Sequence, residues 1–276
     1  MNKIRLLRTA DLPHLLDLSA QAKWNQTEAD WQRLLQLAPD GCFGIEAGGR
    51  IVASTTAIRY GSEVGWIGMV LTDAAHRGEG RATALLNHAI EHLRGQGVAW
   101  AKLDATDEGR PIYSKLGFED ECAVERWRRP ATAAPVTASR PLNTYAVDPS
   151  FDRAHFGAPR IALLASLNAD GESALVTGFG YAMGRPGANA DYFGPSVVRT
   201  REAARLLVEW HLARHSGRDV YWDLLPDNAD AVQLAIDHGF QPQRHLTRMA
   251  LKCRPDSPPL LRHNSGILAI AGFEYG

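Results

Sequence analysis

The sequence predicts an α+β protein in which one arrangement of strands and helices occurs twice. Three observations carry that expectation. Three β-like runs, CFGIEA, RIVASTTAIRY and EVGWIGMVLT, are parted by Gly-Gly and Gly-Ser turn signals, as in an antiparallel meander. Apolar residues then recur at helical spacing, at Ala82, Leu85, Leu86, Ala89, Ile90 and Leu93, up to the GQG at 95–97. Finally, the order strand, helix, strand, helix, Gly-Phe is repeated further along the chain, SKLGF of one copy aligning with IDHGF of the other. A chain of 276 residues is long enough for two domains of ordinary size.

Taken in order, a helix capped near Thr9 or Asp11 opens the chain. A second starts at Thr27-Glu28-Ala29-Asp30, which has capping-box spacing ahead of Trp31, Leu34 and Leu35. The meander and the amphipathic helix follow. VAWAKLDA is the next strand, EGRPIYSKLG a short helix stopped by Gly117, and FEDECAVERWRR a closing strand. At 130–144 the composition turns to PATAAPVTASRP, poor in large apolar side chains, which reads as a linker between a domain at 1–129 and another at 145–276. In the second, DYFGPSVV is β-like and REAARLLVEWHLARHSG sets Ala203, Leu206, Leu207 and Trp210 on one helical face. DVYWDLL is a strand and NADAVQLAIDHGF a helix.

Composition narrows the class of function. With 30 Lys+Arg against 31 Asp+Glu the net charge is −1, so no global field draws the chain to nucleic acid or to an acidic membrane. The basic run ERWRRP reads as the end of a strand. Cys42, Cys122 and Cys253 are odd in number and far apart, which suggests neither a disulfide framework nor a metal site. A cytoplasmic protein that handles small molecules, as a monomer or homodimer, is expected; the charged, proline-containing start MNKIRLLRTADLPHLL does not resemble a signal peptide.

The chemistry centres on HRGEGRATALL, residues 76–86. Its glycines sit between a strand and a helix N-terminus, where backbone N–H groups lack helical partners and the helix dipole is positive. Glycine lets successive amides converge on a diphosphate with no Cβ in the way. A surface turn is the commoner fate of an arbitrary Gly-x-Gly. The Walker pattern lacks its Gly-Lys-Ser/Thr, and the dinucleotide fingerprint fails because Thr83 stands where a third Gly or Ala is needed.

Arg77, Gly80 and Ala82 match the Arg/Gln-x-x-Gly-x-Gly/Ala signature, and the chain resembles the GCN5-related N-acetyltransferase (GNAT) superfamily over most of residues 3–129. A second motif of that family, Asn-x-x-Ala-x-x-x-Tyr-x-Lys-x-Gly-Phe, is present as TDEGRPIYSKLGF, keeping Tyr113, Lys115, Gly117 and Phe118 while Thr106 replaces the Asn and Gly109 the Ala. The resemblance implies two α/β/α layered GNAT-like domains, each a mixed, mostly antiparallel twisted sheet flanked by helices. It also implies acetyl-CoA as co-substrate, its diphosphate held by Arg77, Gly78, Glu79, Gly80, Arg81, Ala82 and Thr83 and its pantetheine arm by Val70, Leu71, Thr72 and Thr106. Glu79 sits awkwardly beside phosphates unless it points to solvent. In the second copy Asn228 and Ala231 occupy the motif positions, but Ala235 replaces the tyrosine and only Arg199 and Thr200 separate strand from helix. That copy is expected to be degenerate, completing the sheet, shaping the acceptor pocket or stabilising the first domain, and not to hold a second active site.

On this resemblance the chain is an N-acetyltransferase acting on an amine. Tyr113 would be the general acid, since a phenol of ordinary pKa about 10 can protonate a thiolate. Backbone amides near Val70 to Thr72 would stabilise the oxyanion. Glu63 and Asp104 are candidate bases beside a water relay. Trp24, Asn25 and Trp31 on the early helices, with Tyr60 and Trp66 on the meander, could line the acceptor side or belong to the core. A non-catalytic acyl-CoA sensor or an interaction module is the competing reading.

Overall fold

The structure is a computed structural model that describes residues 3–132, 137–138, 142, 148–260 and 266–276. The expected linker at 130–144 lies largely outside the described residues. The first half runs β1 (Ile4–Leu6), α1 (Leu12–Gln21), α2 (Glu28–Leu37), β2 (Cys42–Ala47), β3 (Arg50–Tyr60), β4 (Val64–Thr72), α3 (Arg81–Gly95), β5 (Trp100–Ala105), α4 (Arg110–Lys115) and β6 (Glu119–Arg129). The second runs α5 (Pro149–Phe156), α6 (Ile161–Asp170), β7 (Glu172–Val176), β8 (Gly180–Arg185), β9 (Asp191–Val198), α7 (Arg201–His215), β10 (Val220–Leu224), α8 (Ala229–Asp237), β11 (Gln241–Lys252) and β12 (Ile267–Ala269).

Local signals explain where these elements begin. Thr27 Oγ1 accepts from the Asp30 N–H while the Asp30 carboxylate accepts from the Thr27 N–H, closing the capping box that starts α2. Left-handed Gly48 and Gly49 turn β2 into β3. The described strands form one sheet, ordered β1-β2-β3-β4-β5-β11-β6-β10-β9-β8-β7, with β12 against β9. Its order contains an exchange. β11 of the second half pairs antiparallel with β5 and β6 of the first, and β6 pairs antiparallel with β10 of the second. Each half thus inserts its last long strand into the other.

Helices cover both faces, as the α+β, α/β/α expectation requires. Neighbouring residues on one strand serve opposite layers: Ile58 packs with Leu15, Trp31 and Leu34, whereas Ala57 packs with Leu85, Ala89 and Ile90 of α3. The layer holding α1 and α2 is shared, because Leu163, Leu164 and Leu167 of α6 and Tyr181 of β8 join the same cluster.

A buried polar network locks the halves together. Asp30 accepts from Arg33 at 2.9 Å and from Arg185 at 3.2 Å, and Arg185 also donates to Glu274 at 2.9 Å. The C-terminal segment is threaded through this network. Trp66 Nε1 donates to the Phe273 carbonyl, Tyr60 Oη to that of Tyr275, and Arg160 to that of Gly276. Among the described residues no helix is long and apolar enough to cross a membrane, and no cluster of three or more His, Cys, Asp or Glu could hold a metal. The three cysteines are unpaired.

Candidate active site

The cradle is made by the turn between β4 and α3. Asp73 accepts from the Ala75 N–H and from Gln21 of α1, which fixes the start of the turn. Gly78 and Gly80 have φ of 78° and 73°, and a Cβ built on either would meet nothing within 4 Å. Gly80 is the N-cap of α3 and supplies no side-chain hydrogen bond, so the first amides of the helix remain open. Arg77 and Arg81 stand at this positive end. Cations there oppose the helix dipole and gain only when an anion is present. Glu79 is turned onto Arg81, at 2.7 Å, and its side chain is about half exposed.

Next to the cradle, β4 and β5 part. Their parallel pairing runs only from Val64 to Trp66 against Trp100 to Lys102. Beyond it β4 carries a bulge opposite β3, at which Met69 adopts φ 49° and Ser54 Oγ donates to its carbonyl at 2.9 Å. The gap holds two adjacent cavities that share part of their lining. An outer cleft of about 540 Å³ is bordered by Leu71, Thr72, Arg77, Gly78, Gly80, Arg81, Ala82 and Thr83. An inner chamber of about 100 Å³ is bordered by Gln26, Ile67, Gly68, Met69, Leu103, Asp104, Arg126, Leu246, Phe273 and Glu274. Trp24, Val70, Thr106, Tyr113 and Arg244 line both, and so mark the junction.

Tyr113 projects from α4, set by the tight turn in which Thr106 Oγ1 accepts from the Gly109 N–H. Its ring meets Phe118 edge-on, with centroids 6.1 Å apart. Burial pushes its phenol up to about 12, so it is protonated throughout the neutral range. Gly109 makes room for it, since a Cβ there would lie 2.9 Å from Tyr113 Cε2.

The second half builds much of the inner chamber. Arg126 of β6 is held by Asp223 of β10 at 2.7 and 2.6 Å, and Asp104 of β5 by Arg248 of β11 at 2.8 and 3.0 Å. Burial raises the Asp104 and Glu274 carboxyls above the ordinary carboxylate range in spite of these arginines. Arg244 is different. Its guanidinium makes no hydrogen bond or ion pair with any described residue, and burial together with the nearby Arg126 charge lowers its pKa.

The site residues read from the sequence divide into two groups. Val70, Leu71, Thr72, Arg77, Gly78, Gly80, Arg81, Ala82, Thr83, Thr106 and Tyr113 come together around the cleft, with Glu79 paired beside it. Of the acceptor-side and base candidates, Trp24 and Asp104 line the chamber and five others do not. Trp31 and Tyr60 are core residues, their polar atoms committed to Ser19 Oγ and the Tyr275 carbonyl. Trp66 is fully buried under Arg248 and donates to Phe273. Glu63 lies at the surface, paired with Arg153. Asn25 is spent on the second half, donating to the Ala190 carbonyl and accepting from the Asn189 N–H. The sequence reasoning missed Gln26, Arg126, Arg244, Leu246, Phe273 and Glu274. Arg244 lies in the run QRHLTRMALK, whose residues do not disclose which strands it pairs with.

Residues 8–118 match the model of the acetyltransferase (GNAT) family, and residues 149–260 match that of a second acetyltransferase (GNAT) domain. A glucosamine 6-phosphate N-acetyltransferase of Oryza sativa subsp. japonica is 29% identical over 111 residues, 40% of this chain and 67% of that protein. The chain spans about half to two thirds of the length of the curated relatives it matches. Among solved structures, a Pyrococcus horikoshii protein assigned as an acetyltransferase superposes with a TM-score of 0.85 at 18% identity, covering 99% of this chain and 95% of its own. A tandem GNAT protein of the clavulanic acid biosynthesis pathway, solved without acetyl-CoA, gives 0.63 at 18% identity, covering 93% of this chain and 100% of its own. These two likenesses show the fold.

Proposed function

The chain belongs to the GNAT acetyltransferase family, with two such domains in tandem, and from that premise we propose that it moves an acetyl group from acetyl-CoA to an amine of a small-molecule acceptor. The observation that carries this reading is the meeting of an open helix N-terminus, a parted strand pair and a protonated tyrosine at one junction between two cavities. Residues 1–129 are taken as the acetyl-CoA-binding domain, and residues 145–276 as a degenerate partner. Acetyl-CoA supplies the activated thioester. The cradle amides with Arg77 and Arg81 hold its diphosphate, and the free edge of β4 at Val70 to Thr72, with Thr106, takes the pantetheine arm.

The acceptor nitrogen attacks the thioester carbon from the inner chamber. A C–N bond forms, the Val70 amide in the bulge steadies the developing oxyanion, and the C–S bond breaks. Tyr113 gives its proton to the departing sulfur and regains one from water as the product nitrogen loses its own. That proton leaves through water, because Asp104 and Glu274 are each held in an ion pair. Glucosamine 6-phosphate, the acceptor in the name of the rice relative, is a small amine of the class proposed.

Release of free thiol from acetyl-CoA in the presence of small amines tests the reading. Tyr113→Phe should lower kcat by roughly 10²- to 10⁴-fold and leave coenzyme A affinity by calorimetry unchanged. Unchanged kcat removes Tyr113 from the reaction. Tight coenzyme A binding without thiol release for any amine would make the protein a sensor.

A further inference from the structure

The acceptor chamber has an uneven charge account, and it lies on the part of the site that the second half supplies. Asp223, Arg126 and Arg244 stand opposite one another on the adjacent strands β10, β6 and β11. Two arginines directly across a strand pair repel each other. Arg126 is compensated by both oxygens of Asp223, and the chamber's two carboxylates are likewise taken, Asp104 by Arg248 and Glu274 by Arg185. Arg244, half-buried at the junction with the cofactor cleft, has no hydrogen bond or ion pair among the described residues; the nearby Asp223, already committed to Arg126, and the exposed Glu108 act on its charge without direct contact, against the repulsion from Arg126. A half-buried charge held next to a like charge is unfavourable unless something of opposite sign arrives. A second group in the same wall also lacks its partner. Gln26 donates its amide to Glu274 at 3.0 Å, but its own Oε1, buried, has no donor among the described residues.

Building on the acetyl-transfer reading, we propose that the acceptor is an amine that also carries a carboxylate or phosphate, and that Arg244, lent by the second half through β11, binds that anionic group. Gln26 Oε1 takes an N–H or O–H of the same molecule. A guanidinium presents a planar fork of donors that fits either anion in two-point contact. The small chamber beyond it favours a compact acceptor. The tandem architecture then has a use beyond support: the half without a cradle selects the substrate for the half that has one.

The test uses the full chain saturated with coenzyme A and three matched pairs of amines: glucosamine 6-phosphate with glucosamine, phosphoethanolamine with ethanolamine, and alanine with alaninamide. Calorimetry on each should show at least one anionic member bound about ten- to a hundredfold tighter than its neutral partner. The pair that discriminates tells phosphate from carboxylate. Arg244→Gln should abolish that difference while coenzyme A affinity and the melting temperature stay at wild-type values, since Arg244 has no hydrogen-bond or ion-pair partner among the described residues. Arg244→Lys should keep part of it. No preference for any anionic amine, or a preference that survives Arg244→Gln, overturns the inference. An Arg244→Gln protein that loses coenzyme A affinity instead places the guanidinium on a cofactor phosphate, which also overturns it. Failure of wild type to bind coenzyme A would strike the acetyl-transfer reading itself.

Discussion

The helices α3 and α7 hold equivalent places in the two halves, and both have 15 residues, yet they begin differently. Residues 73–80 intervene between β4 and α3, whereas residues 199 and 200 alone separate β9 from α7. At α7 the Thr200 side chain accepts from the Ala203 N–H at 3.2 Å, so the helix end is satisfied by its own cap. At α3 the cap is a left-handed glycine, and the amides stay open between two arginines. One scaffold thus carries both a closed and an open helix end. The anion site proposed here is less an added feature than the omission of a cap.

Moving the cap should break the difference. Gly80→Thr puts a β-branched residue at φ 73°, a conformation that costs about 1–2 kcal/mol for non-glycine residues, and it places a side chain on the face of the cradle. Coenzyme A affinity by calorimetry should fall by more than about tenfold. Thr200→Gly, which opens the end of α7 without the intervening turn, should create no coenzyme A site. Wild-type affinity in Gly80→Thr would locate the diphosphate elsewhere.

A smaller contrast lies in the short helices. Ala231 and Ala235 of α8 are both fully buried, whereas α4 carries Tyr113 and the turn before it has Gly109 under the ring. The glycine and the tyrosine form a matched pair, as the two alanines do. Gly109→Ala should push the phenol aside and lower kcat about three- to tenfold, with acetyl-CoA KM unchanged. A wild-type kcat would mean that the ring has room to spare.

What the sequence disclosed follows the range of the physics involved. The meander, α3, α4 and the cradle depend on turns, caps and periodicity within a few residues, and all are legible. The exchange of β6 and β11 depends on pairing between strands distant in sequence, such as Arg248 with Asp104, and no local pattern encodes it. The inner chamber was misread for that reason. Trp31, Tyr60 and Trp66 were plausible acceptor-side aromatics because both faces of the meander are covered, so alternation could not tell a cavity wall from core. Phe273 and Glu274 arrive from the far end of the chain. Thr106 and Gly109, departures from the family motif, were visible as such, but Gly109 acquires a reason only once the ring of Tyr113 is placed over it.

The least intrusive way to sharpen the comparison uses pH. The eleventh residue of α3 is the exposed Glu91; the eleventh of α7 is the fully buried His211, stacked on His215 with centroids 4.2 Å apart. Neither ring nitrogen of His211 has a partner among the described residues, and Phe193 of β9, Gly184 of β8 and Trp210 surround it. Burial, with smaller contributions from His215 and Arg214, holds its pKa well below the ordinary value, while Asp191 faces His215 and not His211. The folded state therefore keeps His211 neutral while the unfolded chain takes up a proton below about pH 6.5. Stability is present above that pH and is lost as pH falls, by up to about 1.4 kcal/mol per pH unit from this group, a few degrees in Tm for a chain of this size. His211→Leu should flatten the fall in Tm between pH 6.5 and 5 relative to wild type, with thiol release at pH 7.5 unaffected. If both proteins lose stability equally on acidification, the buried titrating group lies elsewhere, and the two halves do not differ in the way their helices suggest.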